Sequence, residues 1–238
     1  MFQIFKKEFN TFFANPLGYG IIGLFLLING LLLWVLKSDW NILNSGFADL
    51  QGFFDLTPWL FIVLIPALFM RTFSDEYHLG TIELLKTRPL TSFQVVLGKY
   101  LSVVFVVTLI LLLTLIYPLS VSRLAAPKSI DWGSIVGSYL GLWLLAVSFS
   151  ALAVWIAVSI KNQMLAFIIG VLVLLMVYYL AEQLAQWYDN FPDFFRNLGM
   201  YEHYKSMARG VLDIRDVVYF LSVILVFITL SINRFNRL

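Results

Sequence analysis

Apolar and polar positions in this chain separate on the scale of whole segments. Six apolar runs, at 18–36, 58–73, 100–119, 135–160, 164–181 and 217–232, are divided by short polar stretches. A helix needs about 20 apolar residues to cross the hydrocarbon core of a bilayer. The pattern therefore predicts an all-α, polytopic membrane protein with six transmembrane helices. Thr57 reads as an N-cap for the second span, with Pro58 at its first helical position. Pro66 inside that span predicts a kink. Pro118 lies near the end of the third, and the fourth is long enough to tilt or to extend past the bilayer.

Ahead of these runs, residues 2–15 place Phe2, Phe5, Phe9 and Phe12 on one helical face. Lys6, Lys7, Glu8 and Asn10 fall elsewhere. That is the pattern of an interfacial helix lying along the membrane, followed by an elbow at Pro16. A signal peptide fits less well. The apolar run is long for one, and no Ala-x-Ala site follows it.

The most charged stretch is 71–99, where Arg71, Asp75, Glu76, Glu83, Lys86 and Arg88 crowd between two spans. Leu79, Ile82, Leu84 and Leu85 make an apolar stripe at helical spacing, with Glu76, Glu83 and Lys86 off it. Thr81 reads as the cap of a short helix from Ile82, and Pro89 as its end. The segment 74–90 is thus expected to be a short amphipathic helix in water, suited to docking a soluble partner. A solvated charged face is the plainer reading of the same residues.

Composition sharpens this picture. The 238 residues are 61% hydrophobic and 13% charged, against roughly 25% charged in a typical globular domain. The size suits one membrane domain, 1–238. With no cysteine, neither a disulfide scaffold nor a thiolate metal site is expected. His78 and His203 are expected on opposite membrane faces, which disfavours a histidine metal site.

An even number of spans puts both termini on one side, and the basic residues choose which. With the termini cytoplasmic, the inner segments carry nine Lys and Arg, from Lys6 and Lys7 through Arg71, Lys86, Arg88 and Lys99 to Arg237. The outer segments carry seven, four of them in the long loop 182–215, where the positive-inside rule is weaker. Cytoplasmic termini and a cytoplasmic 71–99 stretch follow. The outer-face segment 182–215 is rich in aromatics, including Trp187, Tyr188, Phe191, Tyr201 and Tyr204. They read as anchors at the membrane boundary rather than as a ligand cage.

Candidate chemistry inside the spans is sparse. A charge at the bilayer centre costs roughly 2.5–3.5 kcal/mol on insertion scales, and the spans read as nearly free of ionisable groups. Asp55 and Glu182 sit at span ends. No carboxylate pair, His-Glu-x-x-His or Gly-x-Ser-x-Gly is present, which argues against an integral-membrane enzyme or a proton-coupled carrier. Gly98-Lys99 is followed by Tyr100 and lacks the earlier glycine of a phosphate-binding loop. Any nucleotide must be bound by another chain. Gly133, Gly137 and Gly141, with Ser134 and Ser138, give the fourth span one small face. It reads first as tight packing within the bundle and second as a subunit interface. Arg209 and Asp213, four apart on a possible helix, read as a surface pair.

The pattern Glu76-x-x-x-Gly80-Thr81-x-Glu83-Leu84-Leu85, then Pro89-Leu90 and Gly98-Lys99, resembles the linker between the first two membrane hairpins of ABC-2-type transporter permeases. Lys6-Lys7-Glu8-Phe9 with Pro16 resembles their N-terminal elbow helix. Arg209-Gly210-Val211-Leu212-Asp213 with Arg215-Asp216 resembles the segment before their last span. More narrowly, Phe53-Phe54-x-Leu56-x-Pro58-Trp59, Ile65-Pro66-Ala67 and Gly137-Ser138-Tyr139-x-Gly141-Leu142 resemble the F-type permease subunits of gliding-motility-associated ABC transporters of Bacteroidetes.

The resemblance implies a six-helix permease of the bacterial inner membrane, itself not an enzyme, with 74–90 as a coupling helix seated in a separate ABC ATP-binding subunit. It implies a dimer with a second copy or a sister subunit, with ATP and Mg held by the ATPase and no cofactor on this chain. Membrane lipid and an auxiliary periplasmic subunit are further expected partners; nucleic acid is not. By resemblance Glu76 is a polar partner within the cytoplasmic gate, and Gly80 allows a tight turn. Thr81, Glu83, Lys86 and Arg88 complete the docking segment. His78 stands where the family often has a basic residue. The implied function is ATP-driven movement of substrate, as an exporter associated with gliding motility. The alternative is a membrane scaffold of a motility or secretion complex that transports nothing.

Overall fold

The computed structural model describes residues 1–43, 49–80, 90–124, 131–187 and 199–237. The expected residues Thr81, Glu83, Lys86 and Arg88, and most aromatics of the outer segment, lie outside them. Among the described residues the fold is helical throughout, with no strand. Six helices are long and apolar enough to cross a membrane: Pro16–Val35, Gln51–His78, Ser92–Leu124, Trp132–Ser159, Gln163–Leu184 and Ile214–Asn236. The chain is a polytopic, multi-pass membrane protein.

We label the helices α1 (Phe2–Ala14), α2 (Pro16–Gly30, continued by a π-helical turn to Val35), α3 (Gln51–Phe69) and α4 (Ser74–His78). Next come α5 (Ser92–Thr114), α6 (Ile116–Leu124) and α7 (Trp132–Ser159). Then α8 (Gln163–Leu175) runs through a π-helical turn at Met176–Leu180 into α9 (Ala181–Trp187). The last two are α10 (Met200–Met207) and α11 (Ile214–Asn236).

The axis of the bundle is α7. Of its most apolar window, 83% is buried, against 28% or less for the first, fifth and sixth spans. It packs against α3, α5, α8, α10 and α11. Small residues recur along its second half (Ala146, Ser148, Ser150, Ala151, Ala153) between larger buried ones such as Phe149 and Leu152, which lets neighbouring helices approach closely at the small positions. Ser148 and Ser150 return their hydroxyls to Leu144 and Ala146 carbonyls one turn back, so small polar groups cost little there.

The small face of α7 does pack within the chain. A Cβ on Gly137 would lie 2.7 Å from the Gly210 carbonyl oxygen, and one on Gly141 would lie 2.5 Å from the Met207 Cβ. Ser138 Oγ donates to the Ala208 carbonyl at 2.8 Å, and Ser134 Oγ donates to the Arg209 carbonyl at 3.1 Å. These two serines satisfy carbonyls that the end of α10 leaves without helical partners. Gly210, at φ +81°, then turns the chain toward α11. Gly133 is different: a Cβ there meets only Asp131 Oδ1, at 3.3 Å. Gly137→Ala and Gly141→Ala are each expected to lower stability by about 1–3 kcal/mol through overpacking. Gly133→Ala should be neutral or stabilising. Thermal unfolding of the detergent-solubilised protein measures the difference.

Two expectations need correction. Thr57 is not a cap: α3 begins at Gln51, and Thr57 Oγ1 donates to the Phe53 carbonyl at 2.6 Å inside the helix. The apolar face of Phe53, Phe54 and Leu56 extends the helix in front of Pro58, which sits where a first-turn proline would not. Pro66, like Pro58, lies inside α3, which continues to Phe69. Arg209 and Asp213 do not share a helix. Gly210 breaks the chain between them, and Asp213 caps α11 by accepting from the Arg215 N–H at 2.9 Å.

The outer segment also differs from a membrane anchor. Tyr204 is 2% exposed, and its hydroxyl donates to the Phe54 carbonyl at 2.6 Å. Tyr201 stacks edge-on against Tyr178. These aromatics pack into the bundle because α10 folds back onto α7 and α3 rather than lying out in lipid.

Candidate functional site: a buried charge node at one end of the bundle

The site is built at the end of α7 opposite α10. There α3 gives way to a loose turn at 70–73 and to α4, which carries Glu76. Gly80 follows at φ +65°, a left-handed conformation that glycine adopts without strain, and turns the chain into the charged linker. The chain returns at Thr91. Thr91 Oγ1 accepts from the Gln94 N–H, and Gln94 Oε1 accepts from the Thr91 N–H, each at 3.3 Å. This capping box starts α5 at Ser92 and places Lys99 two turns inside a spanning helix.

Lys99 is 1% exposed. Its Nζ lies 3.0 Å from Glu8 Oε1 and 3.0 Å from Glu76 Oε1. It also donates to the Thr72 carbonyl and sits 4.8 Å from the centre of the Phe73 ring. An ammonium has three N–H donors, and here three oxygens take them. Lys7, largely exposed, adds a second cation 3.4 Å from Glu76 Oε1. One buried ammonium therefore ties together α1 (Glu8), the end of the second span (Thr72), α4 (Glu76) and the third span.

Helix α1 is seated for this. Ile4 packs on Gly98, where a Cβ would meet it at 3.0 Å, and Phe5 and Phe9 meet Phe105 edge-on. On the other side of α4, the Tyr77 hydroxyl donates to the Val158 carbonyl at the end of α7, at 3.1 Å. Lys161 Nζ lies 5.7 Å over the Tyr77 ring. Beside the node opens a cavity of about 740 Å³ between α1, the start of α2, the second and third spans and the start of α8. Phe12, Leu68, Val103 and Phe167 give it apolar walls, and Arg71 and His78 lie among its polar lining.

Of the residues expected at the site, Glu76 and Gly80 are found here, with Glu76 paired to Lys99 and Lys7. The remaining four lie outside the described residues. Ionisable groups nonetheless lie buried near the ends of the spanning helices. Lys99 and Glu76 lie in helices of spanning length, and so does Asp216, which pairs with His203 Nδ1 at 2.7 Å and accepts from Ser206 Oγ at the other end. An apolar run that starts at Tyr100 leaves Lys99 outside the third span. The Thr91-x-x-Gln94 signature is the legible signal that moves the start of the helix eight residues back, to Ser92.

Residues 6–181 match the profile of the ABC-2 family transporter proteins. The chain belongs to that family and is a membrane-embedded permease component of an ABC transporter. The family generally works with an ATP-binding subunit, often as a dimer. No curated protein sequence matches the chain.

Proposed function

We propose that this chain couples ATP hydrolysis in a separate ATP-binding subunit to substrate movement, and that the charge node is where the force enters the membrane. The observation that carries the reading is the Lys99 ammonium. It sits between the helix that leads into the 81–89 linker and the helix that leads out of it, and holds both to the interfacial helix. Displacement of the linker would act on Glu76 and Lys99 together, and through Tyr77 on the central helix α7. Residues 81–89, with Thr81, Glu83, Lys86 and Arg88, are proposed to dock on the ATPase, which holds ATP and Mg; this chain holds no cofactor.

The positive-inside count supports an inner-membrane protein with cytoplasmic termini and a cytoplasmic linker. The F-type permease motifs support a gliding-motility exporter working as a dimer, with an auxiliary periplasmic subunit as a further partner. The apolar walls of the 740 Å³ cavity support an apolar or amphipathic substrate.

The test is Glu76→Gln and Tyr77→Phe, each reconstituted in proteoliposomes with the co-purifying ATP-binding subunit. Coupling mutations of this kind move free energies by about 0.5–2 kcal/mol. ATPase turnover is therefore expected to change roughly two- to thirtyfold while the complex still assembles. Assembly with unchanged turnover in both variants would favour a scaffold instead.

A further inference from the structure

A second cavity lies at the other end of the bundle, some 430 Å³ in volume, where α3 begins and the π-helical turn before α9 ends. Its walls are aromatic. Trp59 meets Tyr178 edge-on at 5.9 Å and Tyr179 at 5.6 Å, and Tyr178 meets Tyr201 at 5.5 Å. Trp40 closes one side. Trp40, Trp59 and Tyr179 are between 36% and 40% exposed, so ring surface remains available to a ligand.

Charge in this cavity is divided. Asp55, on the exposed side of α3, is held by Gln51 Nε2 at 2.8 Å and keeps a second carboxylate oxygen. Lys205 and Arg209 stand on the wall made by α10 and its following turn. Lys205 Nζ lies 5.4 Å over the Tyr201 ring, which draws it to one side of the cavity. The π-helical turn that presents Tyr178 and Tyr179 is a local geometry found frequently at functional sites.

An aromatic wall beside a carboxylate favours a cation, through ring faces and direct charge. A lysine and an arginine together favour a phosphate. Either half alone would be opposed by the other's charge. A ligand carrying both charges a few bonds apart satisfies both. From this we infer that the cavity binds a phosphoammonium zwitterion, with the ammonium against Trp59 and Asp55 and the phosphate against Lys205 and Arg209. The cavity lies at a span end, the level at which lipid headgroups sit, so a zwitterionic phospholipid is the nearest source of such a group. A free phosphoammonium metabolite has the same chemistry. The inference does not depend on ATP coupling.

The experiment is calorimetric titration of the purified full chain in a maltoside detergent with phosphocholine, choline and inorganic phosphate. Phosphocholine is expected to bind at least tenfold more tightly than either fragment. Asp55→Asn should bring its affinity down to that of phosphate, and the double variant K205Q/R209Q down to that of choline. The two changes lie on different elements, so one remains informative if the other unfolds; thermal unfolding checks both. Equal affinity for all three probes, or phosphocholine affinity unmoved by both folded variants, would overturn the inference. Native mass spectrometry from nanodiscs with equal phosphatidylcholine and phosphatidylglycerol separates the sources. Retention of phosphatidylcholine that is lost in Asp55→Asn identifies the lipid, and phosphocholine binding without such retention identifies the free compound.

Discussion

Lys99→Met is expected to be the most damaging single substitution in the charge node. Removing one partner of a buried ion pair typically costs about 3–5 kcal/mol, because the other charge stays buried without compensation. Here two carboxylates, from Glu8 and Glu76, meet the same nitrogen and would face each other once it is gone. The Thr72 carbonyl would lose its donor as well. Adding Glu8→Gln and Glu76→Gln to Lys99→Met should recover most of the loss, since replacing a whole buried ionic group by neutral ones is often close to neutral. Lys99→Arg should not substitute. The three oxygens surround a compact ammonium, and a planar guanidinium presents its donors as a fork. Thermal unfolding in detergent, followed by retained monodisperse protein, measures all three. A neutral Lys99→Met would show that the node is not a compensated buried cluster. A triple variant no better than the single one would assign the loss to packing of the lysine stem.

What the sequence made legible, and what it did not, follows from the range of the interactions involved. The six spans were readable because bilayer thickness imposes a length on apolar runs, and the small face of α7 because helical spacing lines up Gly137 and Gly141. The ends of spans were read less well. Apolar length alone placed the third span from Tyr100 and left Lys99 in water, whereas the helix starts at its capping box and carries the lysine inside. Lys99 is tolerable there because Glu76 and Glu8, the latter far away in sequence on α1, both meet its ammonium. No local pattern announces that pairing. Tyr204 was misread for the same reason. An aromatic near a span end looks like an anchor until the helix bearing it is seen folded onto α3.

The second large effect concerns that tyrosine and a proline distant from it in sequence. Pro58 lies inside α3 and has no N–H, so the Phe54 carbonyl one turn earlier cannot receive its helical hydrogen bond. The Tyr204 hydroxyl donates to that carbonyl instead, at 2.6 Å. Burial pushes the Tyr204 phenol well above its ordinary pKa, so it stays protonated and remains a donor throughout the neutral and mildly alkaline range. Tyr204→Phe leaves a buried carbonyl unpaired and is expected to cost about 1–3 kcal/mol. Pro58→Ala supplies an N–H at the position that can reach the same oxygen. In that background, Tyr204→Phe should cost much less. The four-protein cycle built from these two changes is expected to show a coupling of about 1 kcal/mol or more, within the range seen for residues that share a partner. Equal cost of Tyr204→Phe in both backgrounds would mean that the hydroxyl is worth nothing to α3 and that α10 is held by ring packing alone. A large coupling would mean that the outer segment is fastened to the second span through a gap the proline itself creates. Loosening α10 would then reach the helix whose other end leads, through the turn at 70–73, into α4 and Glu76.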